Sequence, residues 1–171
     1  MNQTDSFEKM IPEALVRATD QFFAHANLEE SRKALKEFEQ KQPNVVEFAT
    51  TLGKELSEEG RRMLIYLSMV LWKIFDSASE GNFPLLDAEE LEKSFEAIED
   101  FFLQKKDQSE DEILNKFQEE FPILQPFVYQ FLFQKLLQPD DAKSWPESEL
   151  LLLFMALSSL LNLFSQKYEN V

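Results

Sequence analysis

Cysteine is absent from this chain of 171 residues, and histidine and glycine are scarce, with one and three residues respectively. Without cysteine the protein has no disulfide, no thiolate metal ligand and no cysteine nucleophile. Metal sites in helical bundles use Glu-x-x-His motifs, and the sequence contains none. Phosphate-loop, dinucleotide-binding and serine-hydrolase motifs are missing as well. These absences predict a protein that is not an enzyme and that uses no cofactor and no metal.

Positive charge is also in short supply. Lysine and arginine number 17 against 32 aspartate and glutamate residues, which gives a net charge of −15. This excess repels phosphate backbones and argues against nucleic-acid binding. Two interpretations stay open: a solvated coat that keeps an apolar-rich chain soluble, or a field that attracts a basic partner.

The segment 107–112 resembles a calcium loop only faintly, because it lacks the glycine that the turn requires.

Long hydrophobic runs are missing too. The longest apolar block, Leu150–Phe164, has 15 residues and includes two serines and an asparagine. A membrane span needs about 20 apolar residues, so this block is too short and too polar, and we expect no membrane partner. The first ten residues have neither the basic region nor the apolar stretch of a secretory signal. The sequence therefore predicts a cytoplasmic protein.

Apolar residues recur at steps of three or four, and hairpin signals are missing, so the chain reads as all-helical. Helix starts are marked by capping boxes at Asn27, Asp87 and Ser109 and by prolines at the first helical position. The apolar faces are expected to include Phe22 in the first helix, Leu28 in the second and Leu114 in the sixth. The eight predicted helix starts lie at or near Pro12, Asn27, Pro43, Ser57, Asp87, Ser109, Pro122 and Ser144.

Two parts of the chain resemble each other at an offset of 79 residues. Residues 13–56 align without a gap to residues 92–135, with 8 identities in 44 positions, four of them phenylalanine. After ten extra residues in the second part, Met63–Phe75 aligns with Leu152–Phe164 at an offset of 89. The aligned phenylalanines include Phe22 with Phe101, Phe38 with Phe117, and Phe48 with Phe127. A repeat of this kind predicts two copies of one structural unit.

The predicted fold is an all-α, eight-helix bundle built from two tandem four-helix repeats, residues 12–81 and 87–170, in a single domain of residues 1–171. Each repeat ends in its most apolar helix, and a helix that is apolar all round must be covered all round. We therefore expect the fourth and eighth helices to share a core at the centre. The alternative is an open solenoid, in which each helix pair contacts only its neighbours.

The candidate site comes from a difference between the two copies. Where the third helix has polar residues, the seventh has apolar ones, followed by an inserted segment that ends in Trp145. Three interpretations stay open: the 138–146 segment covers this band, a partner helix or a second copy of the chain binds it, or it lines an internal small-molecule cavity. The candidate partner-binding residues are Pro126, Tyr129, Phe133, Leu137 and Trp145.

The function that this pattern favours is a non-catalytic, acidic protein–protein interaction module of the adaptor, chaperone-like, antitoxin or immunity type. Its partner would be another protein or a second copy of the chain. The alternative is a ligand-binding or enzymatic helical bundle with a pocket between the two repeats. His25 is expected to be a partly exposed residue at the end of the first helix, where a positive charge suits the helix dipole. An enclosed pocket holding His25 or inward carboxylates would favour the alternative.

Overall fold

The computed structural model describes residues 9–105, 107–137 and 145–171. Within these ranges the chain forms eight α-helices and no strand, which confirms the all-α prediction. A short 3-10 turn, Gly53–Glu55, follows the third helix. The helices are α1 (Glu13–His25), α2 (Leu28–Lys41), α3 (Pro43–Leu52), α4 (Glu58–Ala78), α5 (Ala88–Gln104), α6 (Glu110–Glu120), α7 (Pro126–Leu137) and α8 (Glu147–Tyr168).

Four of the eight helix starts follow the capping chemistry that the sequence predicts. Asn27 and Ser109 each form a complete capping box with the glutamate three residues later. The Ser57 hydroxyl accepts a hydrogen bond from the Gly60 amide at 3.1 Å, and the Asp87 carboxylate accepts from two amides of the first turn of α5. Local side-chain chemistry therefore fixes four helix starts.

The predicted start of the seventh helix is wrong, because α7 begins at Pro126 and not at Pro122. A helix through both positions would place Pro126 in its interior, where the ring clashes with the carbonyl four residues earlier and offers no amide. The residue before a proline is also disfavoured in the helical conformation. Gln125 is buried in that position and uses its side chain for a tertiary contact instead.

The two helices with the most buried residues, α4 and α8, pack against each other at the centre. The Phe75 and Phe164 rings meet there, with centroids 5.5 Å apart. This confirms the prediction that the fourth and eighth helices touch and that their apolar residues form the core. All six residues predicted to be buried in them are buried, namely Leu67, Leu71, Ile74, Leu153, Leu157 and Leu160.

The outer helices surround this central pair. Helices α1 and α3 pack on α4, while α5 and α7 pack on α8. Helix α3 also contacts α5, and α1 contacts α7. A contact between the first and seventh helices excludes the open solenoid, in which only neighbouring repeats touch.

Three residues predicted to lie on apolar faces are exposed instead: Phe22, Leu28 and Leu114, with 43%, 66% and 47% of their surface accessible. Phe23 takes the inward position on α1 and contacts the Tyr66 ring edge-on, which leaves Phe22 outside. Leu28 and Leu114 belong to α2 and α6, which each bury at most two side chains. The exposure of Phe22 also contradicts its predicted equivalence with Phe101, which is buried.

Helix α8 is longer than the apolar block that marks it in the sequence. It has 22 residues with a mean hydropathy of 1.6, and by length and composition alone it could cross a membrane. The sequence argument that this region is too short was therefore wrong. Half of its residues are buried against the rest of the protein, as in the core helix of a globular domain.

Two buried glutamines tie distant parts of the chain together. The Gln42 amide donates to the Pro84 carbonyl at 2.8 Å, and its oxygen accepts from the Leu86 amide at 3.0 Å. Gln125 does the same with the residues before α1: it donates to the carbonyl of Lys9 at 3.0 Å and accepts from the Ile11 amide at 2.8 Å. The start of α3 is thus fixed to the start of α5, and the start of α7 to the start of α1.

Truncation of the central helices should be costly. Leu71→Ala and Leu160→Ala each leave a cavity between α4 and α8, so each should lower the free energy of unfolding by about 2–5 kcal/mol. Chemical denaturation followed by circular dichroism measures this difference. Leu85→Ala is the control, because Leu85 is exposed and should change stability by less than about 0.5 kcal/mol. A core truncation that costs no more than the control would contradict the shared core.

The glutamine contacts make a second stability prediction. Gln42→Ala and Gln125→Ala each remove the acceptor of an amide that belongs to a fully buried residue, so each should cost about 1–3 kcal/mol. Gln130→Ala is the matched control, because Gln130 is exposed on α7. Urea denaturation of the three variants tests the expectation. Equal stability of Gln125→Ala and Gln130→Ala would show that the contact is not needed.

Candidate functional site

The apolar band predicted on α7, defined as Pro126, Tyr129, Phe133 and Leu137, is only partly open. The Phe133 ring lies 5.1 Å from the ring of Phe154 on α8, and the Tyr129 ring lies 4.3 Å from that of Phe133. Both residues are half-buried, whereas Pro126 and Leu137 are exposed. The structure therefore brings the two aromatic residues together and packs them against α8, and it leaves the two ends of the band accessible.

Only part of the 138–146 segment, which was predicted to cover the band, lies within the described residues. Trp145 is half-buried and packs against the main hydrophobic core. Residues 138–144, the rest of the inserted segment, lie outside the described residues. Trp145 therefore behaves as a core residue at the start of α8, and its proposed role in partner binding stays a prediction.

An internal ligand cavity beside the band is too small for a ligand. The space between the α6–α7 connection and α8 has a volume of about 30 Å³ and is lined by Tyr129, Ser158 and Asn162 among others. A cavity of this size has room for one or two water molecules. Small-molecule sites in proteins are usually 300–1,000 Å³, about ten times larger.

A larger opening, not predicted from the sequence, lies between α3 and α5. It is a cleft of about 360 Å³. The rings of Phe48 and Phe95 meet edge-to-face in it at 5.8 Å. We call this cleft the acidic groove; its lining residues are Asn44, Glu47, Phe48, Thr51, Leu52, Ala88, Leu91, Glu92, Phe95, Glu96 and Glu99. Its floor is apolar, and four carboxylates surround it.

The four carboxylates of the acidic groove have no partner within the described part of the chain. Glu92, Glu96 and Glu99 follow the spacing i, i+4, i+7, which places them on one face of α5, and Glu47 faces them from α3. Among the described residues, no lysine or arginine lines the groove. Some acids elsewhere do have partners, as Glu89 does with the lysine four residues later at 2.6 Å. The groove thus concentrates negative charge around an apolar surface.

The contact between α1 and α7 is built differently. There the Lys135 ammonium pairs with the Asp20 carboxylate at 2.9 Å. The same ammonium lies 5.8 Å from the centroid of the Phe131 ring, within the range of a cation–π contact. Burial raises the pKa of the nearby Tyr66 hydroxyl; Lys135 opposes this shift and Asp20 reinforces it. The α1–α7 junction thus contains an ion pair between two residues of the chain, whereas the acidic groove contains open apolar surface.

A short sequence signal could have located these two junctions. The pattern Gln-Pro-x-Val-x-x-Phe occurs at the start of α3, from Gln42 to Phe48, and again at the start of α7, from Gln125 to Phe131. The ungapped offset of 79 residues hides it, because that offset aligns Pro43 with Pro122. The acids of the groove gave no separate signal, since any charged helix face exposed to water has the same pattern.

The structure offers no support for a metal site or a histidine-based site. No group of three or more histidine and acidic residues among the described residues is arranged to hold a metal ion. His25 is the last residue of α1 and is exposed, as expected, and it does not line the acidic groove. The groove can therefore bind through charge and apolar contact.

Alkaline pH should destabilise the protein partly through Tyr129. Burial raises the pKa of this hydroxyl above its ordinary value of 10.0. The unfolded chain therefore loses the proton first, and the free energy of unfolding falls as the pH rises from about 10 through the folded-state pKa. Tyr129→Phe should reduce that fall, measured by urea denaturation at about pH 9 and about pH 11. An identical fall in the parent and the variant would contradict the burial of the hydroxyl.

Comparison with protein-family models, with curated proteins and with solved structures returned no match. The α7 band and the acidic groove are therefore the two surfaces from which a function has to be argued. Of these, the groove is a cleft of about 360 Å³, and among the described residues that line the two surfaces only those of the groove include unpaired acids. The acidic groove is the stronger candidate site.

Proposed function

We propose that this chain is a non-catalytic, cytoplasmic interaction module that binds another protein through the acidic groove. One observation carries the proposal: an open apolar cleft is surrounded by Glu47, Glu92, Glu96 and Glu99, none of which has a partner in the described chain. Apolar surface that remains open in a folded protein commonly marks a binding site. Adaptor, chaperone-like, antitoxin and immunity proteins all work through surfaces of this physical type.

We also propose that the bundle consists of two tandem four-helix repeats, residues 12–81 and 87–170. The matching contacts of Gln42 and Gln125 support this proposal, as does the pattern Gln-Pro-x-Val-x-x-Phe that begins with each of them. Helices α4 and α8, aligned at the offset of 89, meet through the aligned residues Phe75 and Phe164. In this arrangement the α1–α7 junction is the counterpart of the acidic groove.

In the proposed repeat alignment, the fold does not need the acids of the groove. We align the α3 region with the α7 region by matching Gln42 with Gln125, and the α5 region with the α1 region by matching Leu86 with Ile11. Each of the four rim acids is then aligned with a residue that is not acidic. The matched pairs are Glu47 with Gln130, Glu92 with Arg17, Glu96 with Gln21 and Glu99 with Ala24. A charge that architecture does not require supports a role in recognition.

The α7 band is the weaker candidate for this partner. Its two aromatic residues already pack against α8 through Phe154, so a partner would reach mainly Pro126 and Leu137. We keep the band as a secondary surface, for a partner or for a second copy of the chain.

A small-molecule function for the same groove is the second candidate. The groove lies between the two proposed repeats, and its volume of about 360 Å³ falls at the lower end of the range for small-ligand sites. It is only partly enclosed, however, whereas small ligands are usually enclosed on most sides. A protein partner therefore fits the shape better.

Site-specific cross-linking tests the proposed function. A photoreactive amino acid replaces Thr51, which is exposed and lines the groove. The same amino acid replaces Lys33, exposed on α2 and outside the groove, as the control. In extracts of the native host, we expect Thr51 to cross-link a protein that Lys33 does not, and excess parent protein should compete with it. The same cross-linked proteins at both positions, or none at Thr51, would contradict the proposal.

A further inference from the structure

We infer that the occupant of the acidic groove is a basic amphipathic α-helix of about three turns, with lysine or arginine residues along the edges of its apolar face. This inference rests on the proposed function and names the chemistry of the partner. Three observations carry it: the charge of the rim, the shape of the cleft, and the internal ion pair at the counterpart junction.

The charge of the rim selects a cationic partner. Four carboxylates surround the groove, no lysine or arginine among the described residues lines it, and the full sequence has a net charge of −15. An acidic segment would be repelled by this field, and a neutral segment would gain no electrostatic attraction from it. A basic segment is attracted at a distance and pairs with the carboxylates on contact, so the groove discriminates between partners mainly by charge.

The shape of the cleft suits a helix. The groove follows α5 from Ala88 to Glu99, a length of about 16 Å at 1.5 Å per residue. Helix α3 forms the other wall and is 10 residues long. Two helices with apolar residues between them offer the surface into which an amphipathic helix inserts side chains at i, i+3 and i+4. A partner helix of about three turns would match this length.

The counterpart junction shows what kind of group the groove lacks. There the Lys135 ammonium lies over the Phe131 ring and pairs with Asp20. In the proposed repeat alignment, Phe131 matches Phe48, but Lys135 matches Leu52, so no cation from the described part of the chain lies over the Phe48 ring. We infer that the partner supplies it, with an ammonium or guanidinium group above Phe48 and the acids of the rim around it.

A designed peptide tests this inference directly. The probe is a capped peptide of about 14 residues, composed of leucine and lysine in an amphipathic helical order. The control peptide has the same composition in an order without an apolar face. Fluorescence anisotropy at low salt should show that the parent protein binds the probe, with binding that weakens as salt screens the charges. The control peptide should bind much more weakly, because it offers charge without an apolar face.

Two triple variants separate the groove from general electrostatics. The groove triple variant combines Glu92→Gln, Glu96→Gln and Glu99→Gln. It should weaken probe binding by about tenfold, since each exposed charge pair contributes a few-fold. The control changes three exposed acids outside the groove, Glu39, Glu119 and Glu120, to glutamine and removes the same total charge. This control variant should bind the probe with an affinity within about twofold of that of the parent protein. All six residues are exposed or only half-buried, so both variants should fold.

Leu52→Lys gives an independent readout. It places the counterpart residue of Lys135 in the groove, where the lysine can occupy the site expected for the cation of the partner. Probe binding should fall by about tenfold or more, because the variant both fills the cleft and repels the peptide. A circular dichroism spectrum equal to that of the parent confirms that the variant is folded.

Several results would overturn the inference. Equal loss of binding in the two triple variants, or equal binding of the two peptides, would mean that only overall charge attracts the probe. A parent protein that sediments as a dimer, and becomes a monomer in the groove triple variant, would make a second copy the occupant. If Thr51 cross-links a partner while the probe does not bind, the proposed function stands and the basic helix is wrong. If neither result appears, both proposals fail.

Discussion

The contact between α4 and α8 is the interaction on which the rest of the structure depends. Eleven residues of each helix are buried, so about half of each helix needs cover from the rest of the protein. The apolar area that they bury against each other and against the outer helices supplies the main driving force for folding. Among their buried serines, Ser68 and Ser165 donate hydrogen bonds to carbonyls of their own helices, which offsets the cost of burying these hydroxyls. The serines made the eighth helix look less suited to burial than it is.

The central pair also decides where binding surfaces can form. Six outer helices cover it, and each needs only a narrow apolar stripe on its inner side. Their outer sides and the lines along which they meet are therefore free to vary. The α3–α5 and α1–α7 contacts are such lines, and buried glutamine side chains fix both of them. Because Gln42 and Gln125 hold the helix starts in place, the residues further along each contact can differ without loss of the fold.

The parts of the fold that the sequence predicted are those determined by local chemistry or by strong hydrophobic patterns. Capping residues such as Asn27 and Ser109 gave helix starts, and the apolar runs gave the central helices. The prediction of the start of α7 failed because two prolines were available. The choice between Pro122 and Pro126 depends on the tertiary contact of Gln125. Phe22 failed for a similar reason: hydrophobicity does not say which of two adjacent phenylalanines faces the core.

The candidate site was predicted less well, because it depends on which helices are neighbours. The aromatic residues of α7 stood out in the sequence, but their contact with Phe154 on α8 could not be read from spacing. The acidic groove requires α3 and α5 to lie side by side, and these helices are separated by the whole of α4. Before that neighbourhood is known, Glu92 and Glu96 are ordinary residues of a solvated helix face.

The acidic groove carries a local cost in stability that the α1–α7 junction does not carry. Like charges at positions i and i+4, such as Glu92 and Glu96, destabilise a helix by about 0.2–0.5 kcal/mol, the amount by which opposite charges stabilise it. The α1–α7 junction avoids this cost and gains an ion pair between Lys135 and Asp20. A single lysine at the groove would relieve the repulsion and cover the Phe48 ring, yet the chain has Leu52 there. Departures of this kind, where stability is given up locally and the fold does not require it, are expected at functional sites.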